Sequence, residues 1–561
     1  MEILRIENLS FSYPEAKKPA LNGIDFSVNE GEFVVICGES GCGKSTLLRL
    51  LKKEIAPYGK QEGNIHCFGK KLSDLDPRVS AGEIGFIHQN PENQIVTDYV
   101  WHEMAFGPEN LGLDTQTIRR RVAETATRFG IEDWFHKKTA ELSGGQKQLL
   151  NLACVTAMQP KILLLDEPTA QLDPVAASSF ISALERLNKE TGITVLLVEH
   201  CLEDVFSFAD RVLLMDNGKI AFYDKPKKIS NYFKSNPQHP MKDALPSAMR
   251  IFSMLGDEGE SPITVREGRG YISDNFNNKI RSPDILPYSH SGEKALEFKD
   301  VYFRYGKDLP DILKDISLSV YKGEHFCILG GNGAGKSTFL GVAAGLLRAY
   351  RGKICINGKK ISDYKGSSLY MNNLAFLPQN PQTVFIEKTV KEDLLETCRT
   401  MQYSPAESEK VISETAKRLG IEALLDSHPY DLSGGEQQKA ALAKMLILKP
   451  KILLLDEPAK GIDAHSKKAF CETIKSLKAE GITVITVTHD IEFAAYSADR
   501  VALFFDGDAV SVDTPESFFS QNSFYTTAAS RISRGFFNNA ILCEQVVSLC
   551  EINRKAASDN E

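Results

Sequence analysis

Three clusters of residues in this chain have the types and spacing to act on a phosphoanhydride. The first is GESGCGKST, where Gly38, Glu39, Ser40, Gly41, Cys42, Gly43, Lys44, Ser45 and Thr46 fit the pattern G-x-x-x-x-G-K-[ST]. Glycines in such a turn let backbone N–H groups close around phosphate oxygens. The lysine neutralises the β- and γ-phosphates and the serine hydroxyl ligates Mg²⁺. The second is the acidic pair Asp166–Glu167 that ends KILLLD-E. The aspartate is suited to hold Mg²⁺ through water, and the glutamate to polarise an attacking water. The third is His200, which closes TVLLVEH and is placed to contact a γ-phosphate. An acidic pair after a strand is often only a solvated turn, and a histidine there is often structural. The phosphate-binding turn upstream gives both their meaning.

Each cluster occurs twice. Gly330, Gly331, Asn332, Gly333, Ala334, Gly335, Lys336, Ser337 and Thr338 repeat the turn, Asp456–Glu457 the acidic pair, and His489 the histidine after TVITVT. PKILLLDEP is identical at 160–168 and 450–458. The copies lie about 290 residues apart, so the period is that of a duplicated domain and not of a solenoid. A fourth motif is also doubled: LSGGQ, with Ser143, Gly144, Gly145 and Gln146, and LSGGE, with Ser433, Gly434, Gly435 and Glu436. A Ser-Gly-Gly at a helix start exposes N–H groups and a hydroxyl, a second anion site in each half. It makes sense if it serves the nucleotide of the other half.

The elements that must position these groups follow from the apolar runs. Phe33–Cys37 reads as a strand feeding the turn, which opens a helix. ILLL before Asp166 and before Asp456 reads as a central parallel strand, apolar throughout because both of its faces are covered. The fold class is therefore α/β, with a first domain over 1–228 and a second over 294–520. Between them, 229–293 is rich in Pro, Gly, Ser, Asp and Asn and reads as a linker with one short helix around Ala244–Leu255. A tail over 521–561 carries Ile541, Leu542, Val546, Leu549 and Ile552, which suggests a small helix packed on the second half.

The bulk numbers agree. A chain of 561 residues is too long for one core, and 42% hydrophobic with 25% charged residues is ordinary globular composition. A formal net charge of −8 argues against coating nucleic acid, so no nucleic-acid partner is expected. No apolar run is long enough to span a bilayer. The opening MEILRIENLS lacks the basic start and apolar stretch of a secretory signal. A peripheral location at the cytoplasmic face of the cell membrane, reached through partners, follows. The 11 cysteines form no C-x-x-C pair and read as reduced thiols.

Taken together, these motifs resemble the ATP-binding cassette (ABC) nucleotide-binding domains, over roughly 4–218 and 295–512. The resemblance implies two P-loop domains in one chain, each with a RecA-like core, an antiparallel β subdomain and a helical subdomain. It implies ATP and Mg²⁺ at two head-to-tail sites, with Glu167, His200, Glu457 and His489 catalytic. Tyr13 and Tyr305 match the aromatic that stacks on adenine, and Gln89 and Gln379 the glutamine that senses Mg²⁺ and water. Ser45, Asp166, Ser337 and Asp456 match the metal ligands, and Asp173 and Asp463 the aspartate that communicates between domains. Lys44, Asp166, Glu167 and His200 would work with Ser433 and Gly435, and the second set with Ser143 and Gly145. Two departures stand out: Glu436 replaces the usual glutamine, and Leu149 stands where an arginine is common. Neither removes a catalytic group, so both sites are expected to hydrolyse ATP.

The stretch QNPENQIVTDYVWHEMAFGPENLGL after residue 88 resembles the energy-coupling factor (ECF) group of ABC ATPases. That implies a docking face of Val96, Val100, Trp101 and Phe106 for helices of a membrane scaffold (T-component-like) protein, itself associated with a substrate-binding membrane protein. The function so implied is uptake of a vitamin, vitamin precursor or metal ion. The alternative for any one of these side chains is core packing. Two other functions stay open: a soluble tandem ABC ATPase acting on the ribosome, disfavoured by the Pro/Gly-rich linker, and the ATPase of a conventional sugar importer.

Overall fold

Alternate residues of the strand Phe33–Gly38 serve two cores. Val34 and Ile36 join a cluster with Leu4, Ile6, Leu47, Leu164 and Leu196. Phe33, Val35 and Cys37 join another with Leu163, Leu165, Phe180, Leu184 and Leu197. This two-sided burial is why the central strands are apolar without alternation. A computed structural model describes residues 1–14, 16, 18–257, 259–276 and 292–558, with side chains of the last helix as far as Arg554.

The chain forms two units, Met1–Gly268 and Arg269–Glu561, each with the same two sheets. In the first, a six-stranded sheet runs in the order Lys219–Asp224, Arg211–Asp216, Phe33–Gly38, Thr194–Val198, Ile162–Asp166, Ile84–Ile87. All neighbours are parallel except the edge pair Lys219–Asp224 and Arg211–Asp216. In the second, the order is Leu374–Leu377, Ile452–Asp456, Thr483–Val487, His325–Leu329, Arg500–Phe505, Asp508–Asp513. In both, the strand that feeds the glycine turn, the strand that ends in the histidine and the strand that ends in the acidic pair are adjacent. Their C-terminal ends open on one edge, where α/β sheets bind ligands. The antiparallel subdomain is the four-stranded sheet of Leu21–Asn29, Glu2–Ser12, Lys60–Cys67 and Lys70–Lys71, and its counterpart is Leu313–Tyr321, Lys294–Phe303, Arg351–Ile356 and Lys359–Lys360.

The helical subdomain of the first unit packs Val100, Met104, Val122, Ala126, Trp134, Leu150 and Ala153 from the helices Val100–Asn110, Thr115–Phe129 and Gly144–Ala157 and the loops between them.

The linker expectation needs correction. Residues 229–268 belong to the first compact unit. A helix does occupy Ser247–Met254, but Ile229–Ser235, Pro240–Ala244 and Val265–Asn275 are helical as well. Ile229, Phe233, Met241, Leu245, Met249 and Ile263 enter the core under the parallel sheet. Ile229–Ser235, Pro240–Ala244 and Ser247–Met254, at five to eight residues, show too few turns for a period to emerge, which is why this stretch reads as a linker. The remainder of that segment, 277–291, lies outside the described residues. In the C-terminal segment, helices at Ala528–Ser533 and Cys543–Ser558 bury Ile541, Val546 and Leu549, and leave Ile552 exposed.

Candidate functional site

The glycine turn leaves its strand at Gly38, in the left-handed region at φ 152°. A Cβ there would lie 2.4 Å from the carbonyl oxygen of Met215 on the neighbouring strand, and at Gly330 2.4 Å from that of Phe504, so only glycine fits. The lysine folds back over the turn. Lys44 Nζ donates to the carbonyls of Gly38 (2.9 Å) and Glu39 (2.8 Å), and Lys336 Nζ to those of Gly330 (2.9 Å) and Gly331 (3.0 Å). Both ammonium groups are buried against the loop they serve.

Across the sheet edge, Ser45 Oγ donates to Asp166 Oδ1 at 2.8 Å and Ser337 Oγ to Asp456 Oδ1 at 3.2 Å. Burial raises the Asp166 carboxyl above the usual carboxylate range, and raises Asp456 to about 6. A hydroxyl beside a buried carboxylate is a hard-oxygen donor set that fits Mg²⁺.

Glu167 and Glu457 adopt φ of 46° and 50°, strained for a residue with a Cβ, and are pinned by N–H bonds to Val198 O (3.0 Å) and Val487 O (2.8 Å). That kink carries each carboxylate to the histidine on the next strand. The grip differs between halves. His200 Nε2 meets Glu167 Oε1 at 2.8 Å, and Gln89 Nε2 donates to Glu167 Oε2 at 2.9 Å. His489 meets Glu457 Oε1 through Nδ1 at 2.9 Å, and its backbone N–H donates to Glu457 Oε2 at 3.3 Å. Among the described residues, no hydrogen bond joins Gln379 to Glu457.

Tyr13 packs edge-on to Phe11 with its hydroxyl 3.0 Å from Thr46 Oγ1, and Tyr305 packs edge-on to Phe303 with its hydroxyl 3.2 Å from Thr338 Oγ1. Both are exposed. Each aromatic therefore stands beside the last residue of its phosphate turn. Ser143 and Ser433 each start a helix with a capping box. Ser143 Oγ accepts the Gln146 N–H at 3.3 Å, whereas Ser433 Oγ donates to the Glu436 carboxylate at 2.6 Å. No hydrogen bond among the described residues ties either serine to the turn of its own half. Asp173 caps Pro174–Thr191, and Asp463 caps Ala464–Ala479.

The segment after Gln89 divides its apolar residues. Val100 and Met104 are fully buried, which removes Val100 from the expected docking face. Val96 is 66% exposed, Trp101 39% and Phe106 41%. Glu103, missed in the sequence, accepts the N–H groups of Val96 (3.1 Å) and Thr97 (2.7 Å) and so sets the loop ahead of its own helix. In the second half Asp393 does the same for Ile386 and Glu387, and in addition pairs with Lys444 at 2.7 Å. There the outer helix face carries Lys391, Glu392 and Arg399 in place of aromatic residues. Among the described residues, no helix is long and apolar enough to cross a membrane. The sequence also gave no notice of Thr169 and Glu199, which bond to each other beside Glu167 and His200. No motif joins positions thirty residues apart.

Comparison with known proteins matches the ABC transporter family over residues 21–170 and 313–460. A Bacillus cereus protein provisionally named an ABC transporter ATP-binding protein is 41% identical over 546 residues, 97% of both chains. A Bacillus subtilis protein provisionally named the HMP/thiamine import ATP-binding protein YkoD is 33% identical over 533 residues, 93% of both chains. Among solved structures, cbiO1 of Clostridium perfringens, described as part of the ABC transporter complex cbiONQ, is 27% identical with a TM-score of 0.40, over 46% of this chain and 99% of that one. Two phosphate turns, two acidic strands and a family match in each half lead to one conclusion: the chain belongs to the ABC transporter family, as a tandem pair of ATP-binding domains with ATPase activity.

Proposed function

We propose that this chain is the ATP-hydrolysing subunit of an ECF-type importer. It couples ATP turnover at two composite sites to uptake of a vitamin, vitamin precursor or metal ion through separate membrane subunits. The observation that carries this reading is the exposed apolar row of Val96, Trp101 and Phe106 on a segment pinned by Glu103. Burying such side chains is worth roughly 25 cal/mol per Å². An apolar surface held in one shape is suited to receive helices from an integral scaffold protein. The relative named for HMP/thiamine import supports a vitamin-type cargo. The chain would then work at the cytoplasmic face of the membrane.

In each site, Lys44 or Lys336 exchanges its loop carbonyls for the β- and γ-phosphates. Glu167 or Glu457 takes a proton from the attacking water, and His200 or His489 holds the γ-phosphate beside it. Tyr13 and Tyr305 stack on adenine. Ser45 with Asp166, and Ser337 with Asp456, would hold Mg²⁺, with Gln89 and Gln379 near it. The ion would neutralise charge developing on the phosphate oxygens. The signature turns at Ser143 and Ser433, with Asp173 and Asp463, serve the nucleotide of the opposite half.

Tagging the chain and solubilising native membranes in mild detergent tests the reading. Co-purification of an integral scaffold with a small substrate-binding membrane protein is the expected result, and the second protein identifies the cargo. Recovery with ribosomes and no membrane protein would overturn it.

A further inference from the structure

Glu199 precedes His200, and Thr169 lies two residues after Glu167. The Thr169 hydroxyl donates to Glu199 Oε1 at 2.5 Å, and the Thr169 N–H reaches the same oxygen at 3.3 Å. Glu199 Oε2 accepts the His200 N–H at 3.1 Å. The side chain is only 4% exposed. All three bonds to its carboxyl arrive from donors, so each of its oxygens is committed as an acceptor. A buried carboxylate thus fastens the segment that carries His200 to the segment that carries Glu167.

The second half has Ala459 and Thr488 at these positions, so the hydroxyl and the carboxylate are lost together. The Thr488 hydroxyl accepts the Asp490 N–H instead. The His489 N–H, with no acceptor of that kind beside it, goes to Glu457 Oε2, and the ring reaches Glu457 through Nδ1. In the first half Glu199 takes this N–H. The ring then approaches Glu167 through Nε2, and Glu167 Oε2 is held by Gln89.

We propose that Glu199 is a positioning residue for ATP hydrolysis in the first half. By binding the His200 N–H and Thr169, it leaves both oxygens of Glu167 to the His200 ring and Gln89. The two halves therefore hold their general bases differently and turn over at different rates. This rests on the reading of Glu167 and His200 as hydrolytic groups.

The test uses the full chain and measures kcat and KM for ATP alongside thermal melting. The variants are Glu199→Gln, Glu199→Thr (the residue of the second half) and Thr169→Ser, with Glu167→Gln as control and as background. Glu199→Gln keeps the volume but turns an amide donor toward a donor, so one anchor is lost. The expected result is a kcat lowered about twofold or more in both Glu199 variants, no further than Glu167→Gln lowers it because the second site still turns over, with KM within about twofold, because the geometry of the base is disturbed and ATP binding is not. Thr169→Ser, which keeps the hydroxyl, retains turnover. In the Glu167→Gln background, Glu199→Thr changes kcat no further. An unchanged kcat in Glu199→Gln overturns the proposal, and so does a loss that appears in KM or survives in the Glu167→Gln background. Glu167→Gln with full turnover would instead sink the hydrolytic reading itself.

Discussion

The first half holds its glutamate with the Gln89 amide and the Nε2 edge of His200, while the second holds it with the ring and backbone of His489. The first presents Trp101 and Phe106 on the helix after the glutamine; the second presents Lys391, Glu392 and Arg399. Yet the left-handed kink at Glu167 recurs at Glu457, and the fully packed glycine of Gly38 recurs at Gly330. Duplication has thus preserved the devices built from backbone and left the surrounding side chains free to diverge. What differs is what touches Glu167 and Glu457 and what the helix after the glutamine exposes.

The comparison can be broken most forcefully at the glutamates. The double variant Glu167→Gln, Glu457→Gln should lower steady-state ATP turnover by on the order of 10²–10³. Of the single variants, Glu167→Gln should cost more. Equal losses would mean that the extra grip of Gln89 has no kinetic weight.

Next comes the start of the P-loop strand, where the first half has Phe33 and the second has His325. The His325 ring is fully buried, with Nδ1 donating to Ser497 O at 2.9 Å and Nε2 accepting from Thr486 at 2.9 Å. Burial lowers its pKa to about 4 from 6.5. Below pH 6.5 the unfolded chain takes up a proton that the folded one refuses, so stability falls as pH drops from 6.5 towards 4, by roughly 3 kcal/mol. Chemical denaturation across that window should show the loss in the parent chain and a smaller loss in His325→Phe.

On the surface, Val96→Asp with Trp101→Asp should weaken retention of membrane subunits about a hundredfold, since each buried apolar side chain is worth about 1.5 kcal/mol or more. Ile386→Asp in the second half should cost less in the same detergent co-purification. The reverse ranking would place the principal docking face on the other half.

The smallest effect belongs to the helix caps. Glu436→Gln removes a negative charge from a helix N-terminus and should destabilise by about 0.5 kcal/mol, while Gln146→Glu should stabilise by a similar amount. Thermal melts with opposite shifts would show that the charge at this position contributes to the difference between the two signature turns.

Most of the candidate site residues are legible in the sequence because each sits in a short continuous motif. The turn at Gly38–Thr46 and the pair Asp166–Glu167 are fixed by adjacent residues and by the strand just before them. Groups that act through space were hidden. Glu199 and Thr169 are brought together only by sheet order, and Glu103 reaches back to Val96 from one turn inside its helix. The segment 229–268 lacked a legible period because its helices are short, although its side chains complete a core. Val100 and Trp101 are neighbours in sequence and opposite in burial, a distinction that a weakly amphipathic helix does not announce.

The identical strands ILLLD at 162–166 and 452–456 also bear on how the chain reaches its fold. Neither copy can tell from its own side chains which sheet it belongs to. Selection falls to its neighbours: IGFI and TVLLV in one sheet, LAFL and TVITV in the other. During synthesis the first copy emerges with Ile84–Ile87 already available and can be joined by Thr194–Val198 before the second copy exists. Refolding from denaturant offers both copies at once. Strand exchange between halves is then a trap that vectorial synthesis avoids.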